Sequence, residues 1–181
     1  AWDAAVIEKL HPDINIMCVS ETAVETDCYG IKGSVIDYSI AHPGPGPVAR
    51  RLWKLAQSSG HKCIAKIQIN CTWEMSAVPY IPVPQLIAGH LERIRAEGVT
   101  DFMLGWTLGG YPGGNLELLD CPVEILAERN FGKEAAATVV EAWALFSEGF
   151  RHFPSNSVDL IYNGPQNIGA ANLLAPKPTG Y

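Results

Sequence analysis

The stretch K66-I-Q-I-N-C-T-W-E-M-S-A-V-P-Y80 begins as a strand and ends as a loop. Its first five residues alternate. Lys66, Gln68 and Asn70 share one side, and Ile67 and Ile69 share the other, which is the period of a β-strand. Trp73, Glu74 and Tyr80 follow with no helical spacing. A central strand of an open, doubly wound sheet is covered on both faces and reads as almost continuously apolar. A strand that carries lysine, glutamine and asparagine on one face instead suits a closed barrel, where inward side chains near the mouth line a pocket.

Outward from this stretch, strands and helices alternate. Residues 2–10 read as a short helix, 14–20 as a buried strand and 34–41 as a second strand. HPGPGP, 42–47, is too rich in Pro and Gly for regular structure, and it feeds a helix over VARRLWKLAQSSG with Pro47 in its first turn and Gly60 at its end. The third strand spans 62–70. A helix over 84–98 carries the apolar stripe Leu86, Ile87, Leu91 and Ile94, and a fourth strand spans 101–108. Helices are expected at 122–131 and 134–153, a short strand at 159–163, and coil beyond. Residues 1–121 thus form β/α units, and 122–181 form C-terminal helices and a tail packed on the same domain.

This order predicts a parallel α/β fold. Strand-to-helix loops are long and rich in Gly, Pro, Asn and aromatics, whereas SSGHK and AEGVTD turn back tightly. Parallel α/β folds place their sites in the loops after the strands. The functional edge is therefore expected to carry residues 21–33, 42–47, 70–84 and 109–120. A complete (β/α)8 barrel needs about 250 residues, and this chain has 181. Four strands match the second half of such a barrel, and AWDAAVIEKL enters directly as a helix, as if the chain continued upstream. The alternative is a complete small α/β sandwich. A half barrel leaves sheet edges to cover, so the rest of a longer parent chain or a homo-oligomer is the expected partner.

Composition narrows the functions. Apolar residues make up 48% and charged residues 18%, which is a globular balance. Net charge is −6, from 13 basic and 19 acidic residues, with no basic run, against nucleic-acid or membrane-surface binding. No apolar run approaches a membrane span. Cys18, Cys28, Cys63, Cys71 and Cys121 are odd in number and scattered, so reduced thiols are expected. GPGPVARR has a Gly-x-Gly look, but its prolines remove the amide donors a phosphate cradle needs. There is no G-x-S-x-G and no H-E-x-x-H. His61 and His90 read as structural or exposed, and only His42 falls on the functional edge. No cofactor and no structural metal are expected, apart from weak calcium near residues 21–27.

What remains are carboxylates, amides and rings, the groups that meet sugar hydroxyls and sugar faces. Glu74 is the leading candidate carboxylate, because Trp73 beside it offers an apolar wall that raises a carboxyl pKa. Glycoside hydrolysis needs a second carboxyl group, for which Glu21 and Glu117 are available. Asn70, Trp73, Tyr80, Trp106, Tyr111, Asn115, Glu117, Lys66 and Gln68 complete the candidate substrate site. Lys66 also admits a different chemistry, that of a Schiff-base amine in a lyase or aldolase.

The segments NCTWEMSAVPY (70–80), GWTLGGYPGGNLE (105–117) and NIGAANLLAPKPTGY (167–181) resemble the C-terminal half of the TIM-barrel domain of uncharacterised bacterial glycoside-hydrolase-like proteins. The resemblance extends from GIKGSVIDYSIAHPGPGP onward. It implies a barrel domain inside a longer chain, a carbohydrate ligand, and a soluble protein of the bacterial cytoplasm. In many retaining barrel glycosidases the nucleophile ends strand seven and the acid/base ends strand four, which places Glu74 as nucleophile and its partner upstream. A non-catalytic carbohydrate-binding or structural barrel is the alternative.

Overall fold

A computed structural model describes residues 2–72, 78–105 and 112–153. The expected strand at 159–163 and the tail lie outside the described residues. The element order is α1 (Trp2–Ile7), β1 (Ile16–Val19), β2 (Glu25–Cys28), β3 (Ile31–Ser34), α2 (Pro47–Ser58), β4 (Cys63–Ile67), α3 (Pro84–Ala96), β5 (Asp101–Leu104), a 3-10 helix (Gly114–Leu119), α4 (Val123–Phe131) and α5 (Ala136–Phe150).

The fold is mixed α/β around a parallel sheet. Its strands run β1-β4-β5, in the order of the sequence. The register sets Val19 beside Lys66 and Lys66 beside Met103. Along β4 the pleat sorts side chains cleanly: Cys63, Ala65 and Ile67 are buried, and Ile64 and Lys66 are half-buried. The buried set joins Trp53 of α2, Leu86, Leu91 and Ile94 of α3, Leu126 of α4 and Trp143 of α5 in one core. The C-terminal helices therefore pack on the same core as the β/α units. The opposite sheet face is partly open, with Met17 48% and Met103 38% exposed.

The helices form where their stripes and ends direct. In α2, Ala49, Trp53 and Ala56 recur on the buried face, and Pro47 opens the helix, where its missing N–H costs nothing. Gly60 follows its C-terminus at φ +82°, and His61 N returns to Ala56 O at 2.9 Å. That is the left-handed glycine closure which only a residue without Cβ adopts freely.

The second strand is a correction. Residues 34–41 do not join the parallel sheet, since β1 pairs directly with β4. Ser34 instead ends β3, which pairs antiparallel with β2 in a hairpin. Tyr29 (φ 56°) and Gly30 (φ 87°) make its two-residue turn, and Gly30 N donates to Asp27 Oδ1 at 2.8 Å. Positive φ at both central residues matches the right-handed twist of the flanking strands. Pairing continues past the strands, with Val35 N donating to Val24 O at 2.9 Å and Ala23 N to Val35 O at 2.7 Å. Val35, Tyr38 and Ile40 are buried all the same, so their apolar character reports packing under the loop and not a sheet position.

Candidate functional site at the carboxyl edge of the sheet

β1 delivers Ser20 and Glu21, and β4 delivers Gln68 to Asn70, to the same edge of the sheet. Lys66 projects from the partly open face, and its Nζ lies 5.1 Å from the centre of the Tyr38 ring. Such a contact contributes about 0.5–2 kcal/mol. The ammonium also acts electrostatically on the Tyr38 hydroxyl. Burial pushes that hydroxyl up, Lys66 opposes the shift, and the charges of Asp37 and Glu21 add to it. Asp37 is half-buried. Burial raises its carboxyl above the ordinary range, and the Lys66 charge pulls it partly back. Glu21, Asp37, Tyr38 and Lys66 thus form one electrostatic cluster. A carboxyl raised by burial beside an ammonium and a phenol is of the kind that serves as a general acid.

Glu21 has no exposed surface, so it is not a group at the rim, and it acts on this edge through the effect of its charge on Tyr38. Ser20 and His90 are equally buried. Ser20 Oγ lies 2.8 Å from His90 Nε2, and His90 Nδ1 lies 3.8 Å from Glu21 Oε1. Burial, and then the nearby Arg93, pushes the imidazole down to about 3.

The loop at 42–47 lies directly over this group. Gly46 N donates to Ser20 O at 2.7 Å, and Arg93 Nε donates to Gly44 O at 3.0 Å. A Cβ on Gly44 would stand 2.4 Å from Ser20 O, and one on Gly46 2.3 Å from Thr22 O. Glycine is required at both positions by this close backbone approach.

The remaining candidates divide. Gln68 is fully buried, its Oε1 is 3.9 Å from the Cys71 thiol, and its Nε2 has no hydrogen-bond partner among the described residues. Asn70 and Asn115 are buried and bond to backbone. Asn70 Nδ2 donates to Gly113 O at 2.8 Å, and Asn115 N donates to Asn70 Oδ1 at 2.9 Å. Asn115 Nδ2 donates to Ile69 O and Ile81 O, both at 2.8 Å. These amides fasten two loops to the end of β4. Glu117 turns toward α4, where Arg129 Nη1 and Asn130 Nδ2 meet it at 2.9 and 3.4 Å. Tyr80 lies over Gly114, which holds φ +62°. The ring lines a separate apolar groove of about 510 Å³ with Val83, Phe146, Phe150 and Phe153. Glu74, Trp73, Trp106 and Tyr111 lie outside the described residues.

Asp37, Tyr38 and His90 are the residues that sequence reasoning underrated. Asp37 and Tyr38 fall within 34–41, a stretch whose sequence reads only as a strand. His90 had a usable signal, because it continues the stripe Leu86, Ile87, Leu91 and Ile94 and is buried with it.

Among the described residues no group of three or more His, Cys, Asp or Glu side chains is placed to hold a metal ion, and no helix is long and apolar enough to cross a membrane. No protein-family model, curated protein or solved structure matches the chain.

Proposed function

We propose that this chain is a segment of a (β/α)8 TIM barrel that acts on or binds a carbohydrate at the carboxyl edge of its strands, in the manner of a glycoside hydrolase. The observation that carries the reading is the cluster of Asp37, Tyr38, Lys66 and Glu21 at that edge. The barrel part is supported by strand order. A doubly wound sheet reverses its order at a switch point, whereas β1, β4 and β5 follow the sequence without reversal and leave one face partly open. The remaining strands then come from a longer parent chain or another copy.

In this reading Glu74 is the nucleophilic carboxylate, as its place after β4 suggests. Asp37, raised by burial, is the group suited to protonate a leaving oxygen. Lys66 keeps Asp37 within reach of ionisation, and Tyr38 presents a hydroxyl to the same space. The alternative within the same site is a barrel that binds sugar without cleaving it.

The segment alone is expected to be inactive, so the test is a glycan array probed with the chain within its full-length parent or assembled form, followed by reducing-sugar release from whatever is retained. Retention with release supports catalysis, and retention without release supports binding alone. Absence of retention together with borohydride trapping of Lys66 by a carbonyl compound would replace the proposal with Schiff-base chemistry. That second reading draws on the contact of the Lys66 amine with Tyr38.

A further inference from the structure

Three buried polar groups meet behind the cluster. The Glu21 charge acts on Tyr38, His90 Nδ1 lies 3.8 Å from Glu21 Oε1, and Ser20 Oγ lies 2.8 Å from His90 Nε2. The two ring nitrogens face different chemistry. Nε2 faces a hydroxyl, which can donate or accept, at 2.8 Å. Nδ1 faces a carboxylate oxygen at 3.8 Å, longer than a hydrogen bond but short enough for charge to select the proton's position. A neutral ring carries one proton. On Nδ1 its dipole points at the Glu21 charge and leaves Nε2 to accept from Ser20. On Nε2 it would turn the Nδ1 lone pair toward that charge.

We infer that His90 is a positioning residue for Glu21: Ser20 Oγ–H donates to Nε2, Nδ1–H faces the carboxylate, and this relay fixes the carboxylate whose charge acts on Tyr38. The depressed imidazole agrees, since a ring that stays neutral keeps a defined tautomer. The anchors of the relay are rigid. Ser20 N donates to Lys66 O at 3.0 Å, Ser20 O accepts from Gly46, and Arg93, one turn along α3 from His90, holds Gly44 O. α3 thus grips both the end of β1 and the loop above it. Among the described residues Ser20 and Glu21 face the ring nitrogens, and Arg93 supplies a positive charge that further disfavours the imidazolium.

The inference rests on the reading of this edge as the functional one, since it explains how a buried carboxylate acts there, but its test uses no sugar. Imidazole 15N shifts in the intact chain at neutral pH should show the Nδ1–H form in at least about tenfold excess, as a charge-directed contact in a buried site supplies. In Glu21→Gln that excess should fall by roughly tenfold. The 13Cζ shift of Tyr38 should move in Glu21→Gln and move in the same direction in His90→Gln, because both remove or misplace the same charge. A dominant Nε2–H form in the native chain overturns the inference. So does a folded His90→Gln chain whose Tyr38 signal matches wild type while Glu21→Gln moves it. Should His90→Gln fail to fold, the tautomer ratio in the native chain and in Glu21→Gln decides. A glycan array without retention would leave these signals untouched, so the two proposals fail separately.

Discussion

Replacing His90 by Gln should abolish a specific part of the acid sensitivity of the fold. In the native chain burial holds the His90 imidazole down to about 3, against an ordinary value of 6.5. Between those values the unfolded chain binds a proton that the folded chain refuses. Stability therefore falls as the pH drops through this window. Each pH unit well below 6.5 costs about 1.4 kcal/mol. From pH 7 to pH 5 the loss works out at about 2 kcal/mol, because only part of the first unit counts. The ring is almost wholly buried, so solvent does not screen this contribution appreciably. Carboxylates elsewhere titrate alike in both chains and cancel. Urea unfolding at pH 7 and pH 5, with m-values compared, measures the difference. Wild type should lose about 2 kcal/mol more than His90→Gln over that interval. Losses equal to within about 0.5 kcal/mol would refute the assignment of a buried, neutral ring.

Three further substitutions probe the scaffold and the site. Gly44→Ala places a methyl group 2.4 Å from Ser20 O, so the loop must shift, and urea midpoints should report a loss of about 3 kcal/mol. Asn115→Ala strips partners from Ile69 O and Ile81 O in a buried setting and should cost about 2–3 kcal/mol by the same measurement, with faster amide exchange at Ile81 and Asn70. Asp37→Asn keeps shape but cannot donate a proton as an acid. In the carbohydrate-cleaving form of the protein it should lower kcat by about 100-fold or more with circular dichroism unchanged, and near-normal turnover would remove Asp37 from the chemistry.

Much of the architecture was legible because it is local. The pleat of Cys63–Ile67 alternates in the sequence as it does in space, and α3 could be drawn from Leu86, Ile87, Leu91 and Ile94 together with the glycine that follows. Pro47 and Gly60 marked the ends of α2 by backbone chemistry that needs no neighbour. The identity of partners was not local. Residues 34–41 look like a strand, and whether such a stretch joins β1 and β4 or closes a hairpin depends on which backbone reaches it first. The turn at Tyr29–Gly30 decided that, with a tyrosine in a conformation usually left to glycine or asparagine.

The site divides the same way. Sequence by itself determined the alternation that puts Lys66 on the face of β4 opposite Cys63, Ala65 and Ile67, while Gln68 and Asn70, read as part of the same strand face, lie beyond its end and are buried. Lys66 was marked by its place in the alternation. Tertiary structure alone brought Tyr38 under its ammonium, buried Glu21 where its charge acts on that hydroxyl, and set His90 from a helix seventy residues away against Ser20. It also made Asn70 and Asn115 fasteners of the loops at the end of β4, a role the sequence did not show. The reason is physical: a side chain's period is written in its immediate neighbours, but its burial, charge environment and hydrogen-bond partner are properties of the space it enters, which distant parts of the chain create together.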